Sequence, residues 1–410
     1  MGEHAVRCPK CGRAVDTHSL SCPAGCPALL RTEYVAKRLT ERDLPGMFRF
    51  FDWLPVRSVL NSRSSPVAFR SKGVSKELGL KDLWIGFTGY YPERNAFSVS
   101  CTFKETEALP TFARLKDRGG GRIVVASAGN TGRAFAQTAG DTDSDCLVVV
   151  PDKAADRIEV SEDRGRARLL TVRGDYADAI RVAERIASFG GFVPEGGARN
   201  VARRDGMGTV LLEGALRMGS LPDHYFQGVG SGTGGISAWE ASLRLVGDGR
   251  FGDRLPKLHL AQNIPFTPMA DAWNAGRRDI IEKDLSNGTD IYADVLANRT
   301  PPYGISGGVF DAMTACDGEF LTVTEKSARE AEKLWNIHEN AALDPAAAVA
   351  LAALTAAVED GLPLDEKIFL NITGGGRDRV KEDIALTRIE PSERVNRDVS
   401  DADLRRAADA

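Results

Sequence analysis

The sequence predicts an α/β protein of two lobes, preceded by a small cysteine ribbon. Three observations carry this. From about residue 100 to 380, apolar strands alternate with helices, the pattern of parallel sheets covered on both faces. Three glycine-rich turns each follow one of those strands. The chain has 410 residues, too many for one ordinary core and suited to two lobes plus an appendage. The expected division is a ribbon over 1–30, a body over 31–390 and a polar, charged tail over 391–410. Within the body, the smaller lobe takes about 100–200 and the larger lobe the remainder.

In chain order, Cys8-Pro-Lys-Cys11 is followed after ten residues by Cys22-Pro-Ala-Gly-Cys26. Two close pairs across a short loop can set four thiolates around one tetrahedral Zn²⁺, so Cys8, Cys11, Cys22 and Cys26 are the candidate metal ligands. Arg49-Phe-Phe-Asp-Trp-Leu-Pro55 reads as an apolar plug laid on a larger body. Residues 72–80 read as a short helix closed by Gly79, and 83–87 as a strand. Strands follow at 123–127, 146–151, 169–172, 225–229, 257–261 and 367–372, with a short extended piece at 191–194. Helices are expected at 130–139, 176–188, 208–218, 236–246, 325–337 and 345–358, the last starting after Asp344. A short helix near Asp403 closes the pattern.

Composition narrows the function. Lys plus Arg is 53 and Asp plus Glu is 57, a formal charge of −4, which argues against a global basic field for nucleic acid. The longest nearly apolar stretch, 345–358, is too short to span a bilayer, and no apolar leader opens the chain. A cytoplasmic protein that binds small molecules, and neither nucleic acid nor membrane, is expected.

The three turns are Ala126-Ser-Ala-Gly-Asn130-Thr-Gly-Arg133, Gly228-Val-Gly230-Ser-Gly-Thr-Gly234-Gly235 and Asn371-Ile-Thr373-Gly-Gly-Gly376-Arg377. Open α/β sheets bind ligands outside the carboxyl ends of their strands, where such turns lie. The second suits a phosphate: small residues let backbone N–H groups converge, and a helix N-terminus follows. It lacks the Lys-Ser/Thr of a nucleotide P-loop. Upstream, Cys101-Thr-Phe-Lys104 places a lysine beside an aromatic residue at a helix start, where an amine can serve as a carbonyl-trapping nucleophile.

Thr-Phe-Lys104, Ser127-Ala-Gly-Asn130-Thr131, Gly230-Ser-Gly-Thr-Gly234 and Thr373-Gly-Gly-Gly376, in this order, resemble the threonine synthase family of fold type II pyridoxal-phosphate enzymes. An N-terminal cysteine ribbon occurs in some members. The resemblance runs from Cys8 to about Arg379. It is strongest toward the branch of coenzyme M biosynthesis that joins sulfite to O-phospho-L-serine, giving L-cysteate and phosphate. It implies two open, twisted parallel-sheet domains of the tryptophan synthase β type. It implies pyridoxal 5′-phosphate joined through its aldehyde to Lys104, with Asn130 on the ring's 3′-oxygen. Gly230, Ser231, Gly232, Thr233 and Gly234 would hold the 5′-phosphate, and Thr373 would face the ring nitrogen. Ser127, Gly129 and Thr131 would take the substrate carboxylate, with Arg133 adding a cation. A homo-oligomer is expected.

Departures from the family pattern are Glu105-Thr106 after Lys104 and Gly132-Arg133 after Asn130-Thr131. Arg199, Arg203 and Arg204 form a second basic cluster, read either as a solvated loop or as a site for further anions such as phosphate and sulfite. Threonine synthesis from O-phospho-L-homoserine and water, another phosphoserine β-replacement, and a non-catalytic ribbon docking protein remain alternatives. The five His residues form no metalloprotease pair.

Overall fold

The computed structural model describes residues 3–127, 129–288 and 290–409. Its larger lobe is a six-stranded sheet in the order Glu319–Val323, Lys257–Asn263, His224–Gly228, Lys367–Ile372, Asp82–Phe87, Val67–Arg70. All neighbours are parallel except the edge strand Val67–Arg70. The smaller lobe is a five-stranded, wholly parallel sheet in the order Phe192–Pro194, Arg122–Ala126, Cys146–Pro151, Ala167–Arg173, Pro391–Asn396. Central strands such as Cys146–Pro151 are buried along their whole length, as expected for strands with helices on both faces.

The helix Pro345–Glu359 is buried along most of its length, and its alanines let it lie close on the larger sheet. A Cβ placed on Gly228 would come within 2.4 Å of the Ala346 carbonyl oxygen, so that strand end must be glycine. The plug at Gly46–Trp53 wedges between the lobes. Met47, Phe48 and Phe51 join the core under the smaller sheet, whereas Phe50 and Trp53 join that of the larger.

One expectation needs correction. Residues 391–396 are not tail but the edge strand of the smaller sheet, whereas the short helix expected near Asp403 is Asp401–Asp409, whose Leu404, Ala407 and Ala408 enter that lobe's core. The strand was hidden because an edge position buries only Val395 of its six residues, leaving a polar sequence. The strands Val67–Arg70 and Glu319–Val323, also at sheet edges, are short, four and five residues, and went unread.

The ribbon is a three-stranded antiparallel sheet of His4–Arg7, Ala14–Val15 and Arg31–Tyr34. It docks on the helices Val201–Met218 and Thr233–Asp248. Tyr34 donates to Asp205 at 2.6 Å, and the Arg31 guanidinium lies 4.1 Å over the Trp239 ring.

Candidate active site

Three neighbouring parallel strands of the larger sheet end side by side. Asp82–Phe87 leads toward Lys104, Lys367–Ile372 into Thr373, and His224–Gly228 into the second glycine turn. The first two exits are stitched together. Phe103 N–H donates to the Thr373 carbonyl at 2.9 Å, Gly375 N–H to Cys101 at 3.1 Å, and Tyr90 N–H to Gly375 at 3.0 Å. Lys104 thus opens its helix, Lys104–Asp117, one residue from a backbone bond to buried Thr373.

Lys104 is largely buried. Its Nζ lies 4.5 Å from the Phe103 ring centroid and pairs with the Glu107 carboxylate one helical turn on. Two residues earlier, Glu105 accepts from the Ser100 N–H, and burial pushes its carboxyl up to about 7.

From the smaller sheet, Arg122–Ala126 ends in the first turn and the helix Asn130–Asp141. Ser127, Gly129 and Thr131 sit there; Ala128 lies outside the described residues. Asn130 Nδ2 reaches Asp344 Oδ2 at 3.3 Å, and Arg133 Nη2 donates to Asn130 Oδ1 at 3.0 Å. Arg133 Nε donates to the Ser100 carbonyl at 2.9 Å, tying this turn to the Lys104 segment across the lobes. Asp344 also caps its own helix through Ala346 N–H at 3.0 Å and donates its N–H to Gly374 at 3.0 Å. Burial holds its carboxyl above the ordinary carboxylate value. The sequence marked Asp344 only as a helix start; nothing in one chain signals its contact with Asn130.

In the second turn, Gly232 has φ +75° and caps the helix Thr233–Asp248, whose first N–H groups have no carbonyl one turn back. A Cβ on Gly230 would stand 3.0 Å from Leu296 Cα, and one on Gly234 2.1 Å from Gln227 Nε2, so the turn offers bare backbone. Ser231 and Thr233 join it through a 2.8 Å hydroxyl contact. Among the described residues, Thr88 Oγ1, Ser100 Oγ and Asn371 Oδ1 are buried at these strand ends without a hydrogen-bond partner. A polar occupant fits this place.

A cleft of about 280 Å³ opens between the lobes, lined among others by Asn130, Arg133, Asp344, Arg157, Asp294 and Arg377. Val295 would touch a Cβ on Gly129 at 3.2 Å, while Leu296 covers Gly230. One segment therefore touches both the first and the second turn. Arg157 and Asp294 pair across its edge at 2.7 Å. The structure brings Lys104, Asn130, Arg133 and Thr373 into one bonded frame and sets the second turn beside it.

In the second basic cluster Arg199 is exposed, as a solvated loop requires, whereas Arg203 and Arg204 are neither solvated nor an open anion site. Arg203 pairs with Glu107 (Nε–Oε2 2.7 Å) and with Glu195, and Arg204 pairs with Glu240 at 3.0 Å and caps the Leu30 and Ala198 carbonyls. Both are buried inside the helix Val201–Met218, so their charges are already spent. Arg199 stands in the short turn before that helix.

At the ribbon tip, the sulfurs of Cys8, Cys11, Cys22 and Cys26 all lie within 4.8 Å of one another, with Cys11 and Cys22 3.7 Å apart. A tetrahedral zinc with bonds of about 2.3 Å spaces its sulfurs about 3.8 Å apart, so the donor set fits that ion. Each knuckle closes alike: Gly12 N–H donates to the Cys8 carbonyl and Gly25 N–H to that of Cys22, both at 2.9 Å and both with positive φ. Burial alone would raise the Cys22 thiol, but the Ala24 and Cys26 N–H groups outweigh it and bring it down to about 7.

A lysine at a helix start, an anion-ready glycine turn and a cleft between two parallel sheets define a cofactor enzyme. The chain belongs to the pyridoxal-phosphate dependent enzyme family, whose model matches residues 66–374. Within it, the chain is 52% identical over 406 residues to the cysteate synthase of Methanocorpusculum labreanum, covering 97% of this chain and 98% of that one. It is 52% identical over 390 residues to the cysteate synthase of Methanospirillum hungatei, covering 94% and 92%. The fold matches maize serine racemase with a TM-score of 0.61 at 18% identity, over 76% of this chain and 89% of that one. No helix among the described residues is long and apolar enough to cross a membrane.

Proposed function

We propose that this chain is a cysteate synthase that replaces the phosphate of O-phospho-L-serine with sulfite, a step of coenzyme M biosynthesis. The observation that supports it most is likeness of about half of all residues, over nearly the whole chain, to enzymes of that name. Pyridoxal 5′-phosphate, held by Lys104, would supply an electron-withdrawing ring for the substrate's α-carbon. The second turn, Gly230 to Gly234, would hold the cofactor's phosphate on bare N–H groups at a helix N-terminus. Asn130, itself held by Asp344 and Arg133, and the Thr373 hydroxyl would hold the ring.

The substrate's carboxylate docks at Ser127, Gly129 and Thr131, with Arg133 as counter-charge. The Lys104 amine takes the α-proton and later returns it. The Cβ–O bond breaks with its electron pair leaving on phosphate, and the sulfite lone pair forms the new C–S bond. Arg157 and Arg377 line the cleft where both anions must pass. Burial of Lys104 and Thr373 excludes water, which would divert the reaction to hydrolysis. The four ribbon cysteines hold a structural zinc, and the enzyme works as a homo-oligomer in the cytoplasm.

The test is product analysis. Enzyme with O-phospho-L-serine and sulfite should release phosphate and L-cysteate in equal amounts. Threonine from O-phospho-L-homoserine, with no cysteate, would overturn the assignment. Borohydride trapping should label Lys104, and Lys104→Ala should lose the cofactor's absorbance band and nearly all turnover.

A further inference from the structure

We infer that Glu107 is a positioning residue for Lys104, a buried carboxylate that docks the lysine nitrogen once it is released from its bond and has taken up a proton. This rests on the reading of Lys104 given above and adds a residue the family motif does not contain.

The geometry is specific. Glu107 follows Lys104 by one helical turn, the spacing at which two side chains meet on one face. Its side chain is wholly buried, so water cannot serve as its partner. It touches two cations: Lys104 Nζ on one oxygen and Arg203 on the other, with Arg203 Nε at 2.7 Å. Arg203 is in turn held by Glu195, on the strand-to-helix connection of the smaller lobe. Two carboxylates and two cations therefore balance, provided the Lys104 nitrogen carries its proton. Burial by itself would raise the Glu107 carboxyl, but the Arg203 and Lys104 charges outweigh it and hold the group below the ordinary value.

Arg203 reaches Glu107 because their helices touch backbone to backbone. A Cβ on Gly206 would fall 1.8 Å from the Thr106 carbonyl oxygen, so only glycine permits this approach. Phe103 restrains the amine from its other side. A flexible four-carbon side chain that must leave and regain its bond in every cycle is thus kept within a small volume. Misplacing such a group by about 1 Å can cost on the order of a hundredfold in rate.

A competing account is that Glu107 only neutralises Arg203. Wild type, Glu107→Gln and Glu107→Gln/Arg203→Met separate the two, because the double variant removes both buried charges together and leaves Lys104 undocked. Full-length protein is stripped of cofactor and remixed with pyridoxal 5′-phosphate. The return of the absorbance band is timed, and kcat and KM for O-phospho-L-serine are then measured on the reloaded enzyme. Both variants should regain the band about tenfold or more slowly and lose about tenfold or more in kcat, with KM within about threefold of wild type. A double variant that reloads and turns over like wild type overturns the inference. If borohydride does not label Lys104 in wild type, the reading of Lys104 itself fails; a label there with unchanged reloading in the double variant removes Glu107 alone.

Discussion

Arginines serve two opposite purposes in this molecule. In the helix Val201–Met218, Arg203 and Arg204 are paired with buried carboxylates. At the cleft, Arg133 is bonded only to neutral partners, the Ser100 carbonyl and the Asn130 amide oxygen. An interior cation with a carboxylate has its charge cancelled and acts as structure. A cleft cation on neutral acceptors keeps a charge for an incoming anion. The residue type does not distinguish the two; the partner does.

The largest test of this contrast is Arg204→Met. It strands buried Glu240, whose other cation, Arg31, is 3.5 Å away, and should cost about 3–5 kcal/mol in urea unfolding, with little change in KM of the folded fraction. Next, Arg133→Ala should lower kcat/KM for O-phospho-L-serine about a hundredfold, about 2.7 kcal/mol of transition-state binding, while unfolding shifts far less than for Arg204→Met. If the two variants exchanged phenotypes, the contrast would be wrong.

A pH-dependent effect of comparable size sharpens it from the acid side. Glu105 is buried on the backbone N–H of Ser100, with a carboxyl raised to about 7, whereas Glu107, two residues on, sits between cations and is lowered. Because the folded state holds the Glu105 proton more tightly than the unfolded chain, its contribution is complete below about pH 4.5 and fades as pH rises toward 7. Glu105→Gln should therefore gain stability relative to wild type between those values, by up to about 3 kcal/mol, and level off above. Urea midpoints across that range check it. A flat difference would mean that the carboxyl titrates normally.

Much of this architecture was legible in the chain. Buried strands such as Cys146–Pro151 announce themselves because both faces are apolar, and Asp344-Pro345 marks a helix start by capping chemistry alone. The three turns pointed to the candidate site because bare backbone recurs at the ends of three strands in one chain. What stayed hidden depends on three-dimensional partners. Arg203 and Arg204 look like a basic patch until Glu107, from 96 residues upstream, and Glu240 are seen against them. Glu107 resembles any surface glutamate on a polar helix. The edge strand Pro391–Asn396 faces water on most sides and buries only Val395, so it carried no pattern to read.

That last strand has a bearing on biogenesis. Thr171 pairs with Arg394, so one sheet of the cleft joins segments made far apart in time on the ribosome. The larger lobe's strands are all translated before residue 373, but its partner waits, with the flank of Ala167–Arg173 unpaired, until residues 391–396 emerge. Such an open flank is sticky, and long-range closure is slow. Nascent chains halted just short of residue 391 should hence depend on chaperones far more than chains released whole.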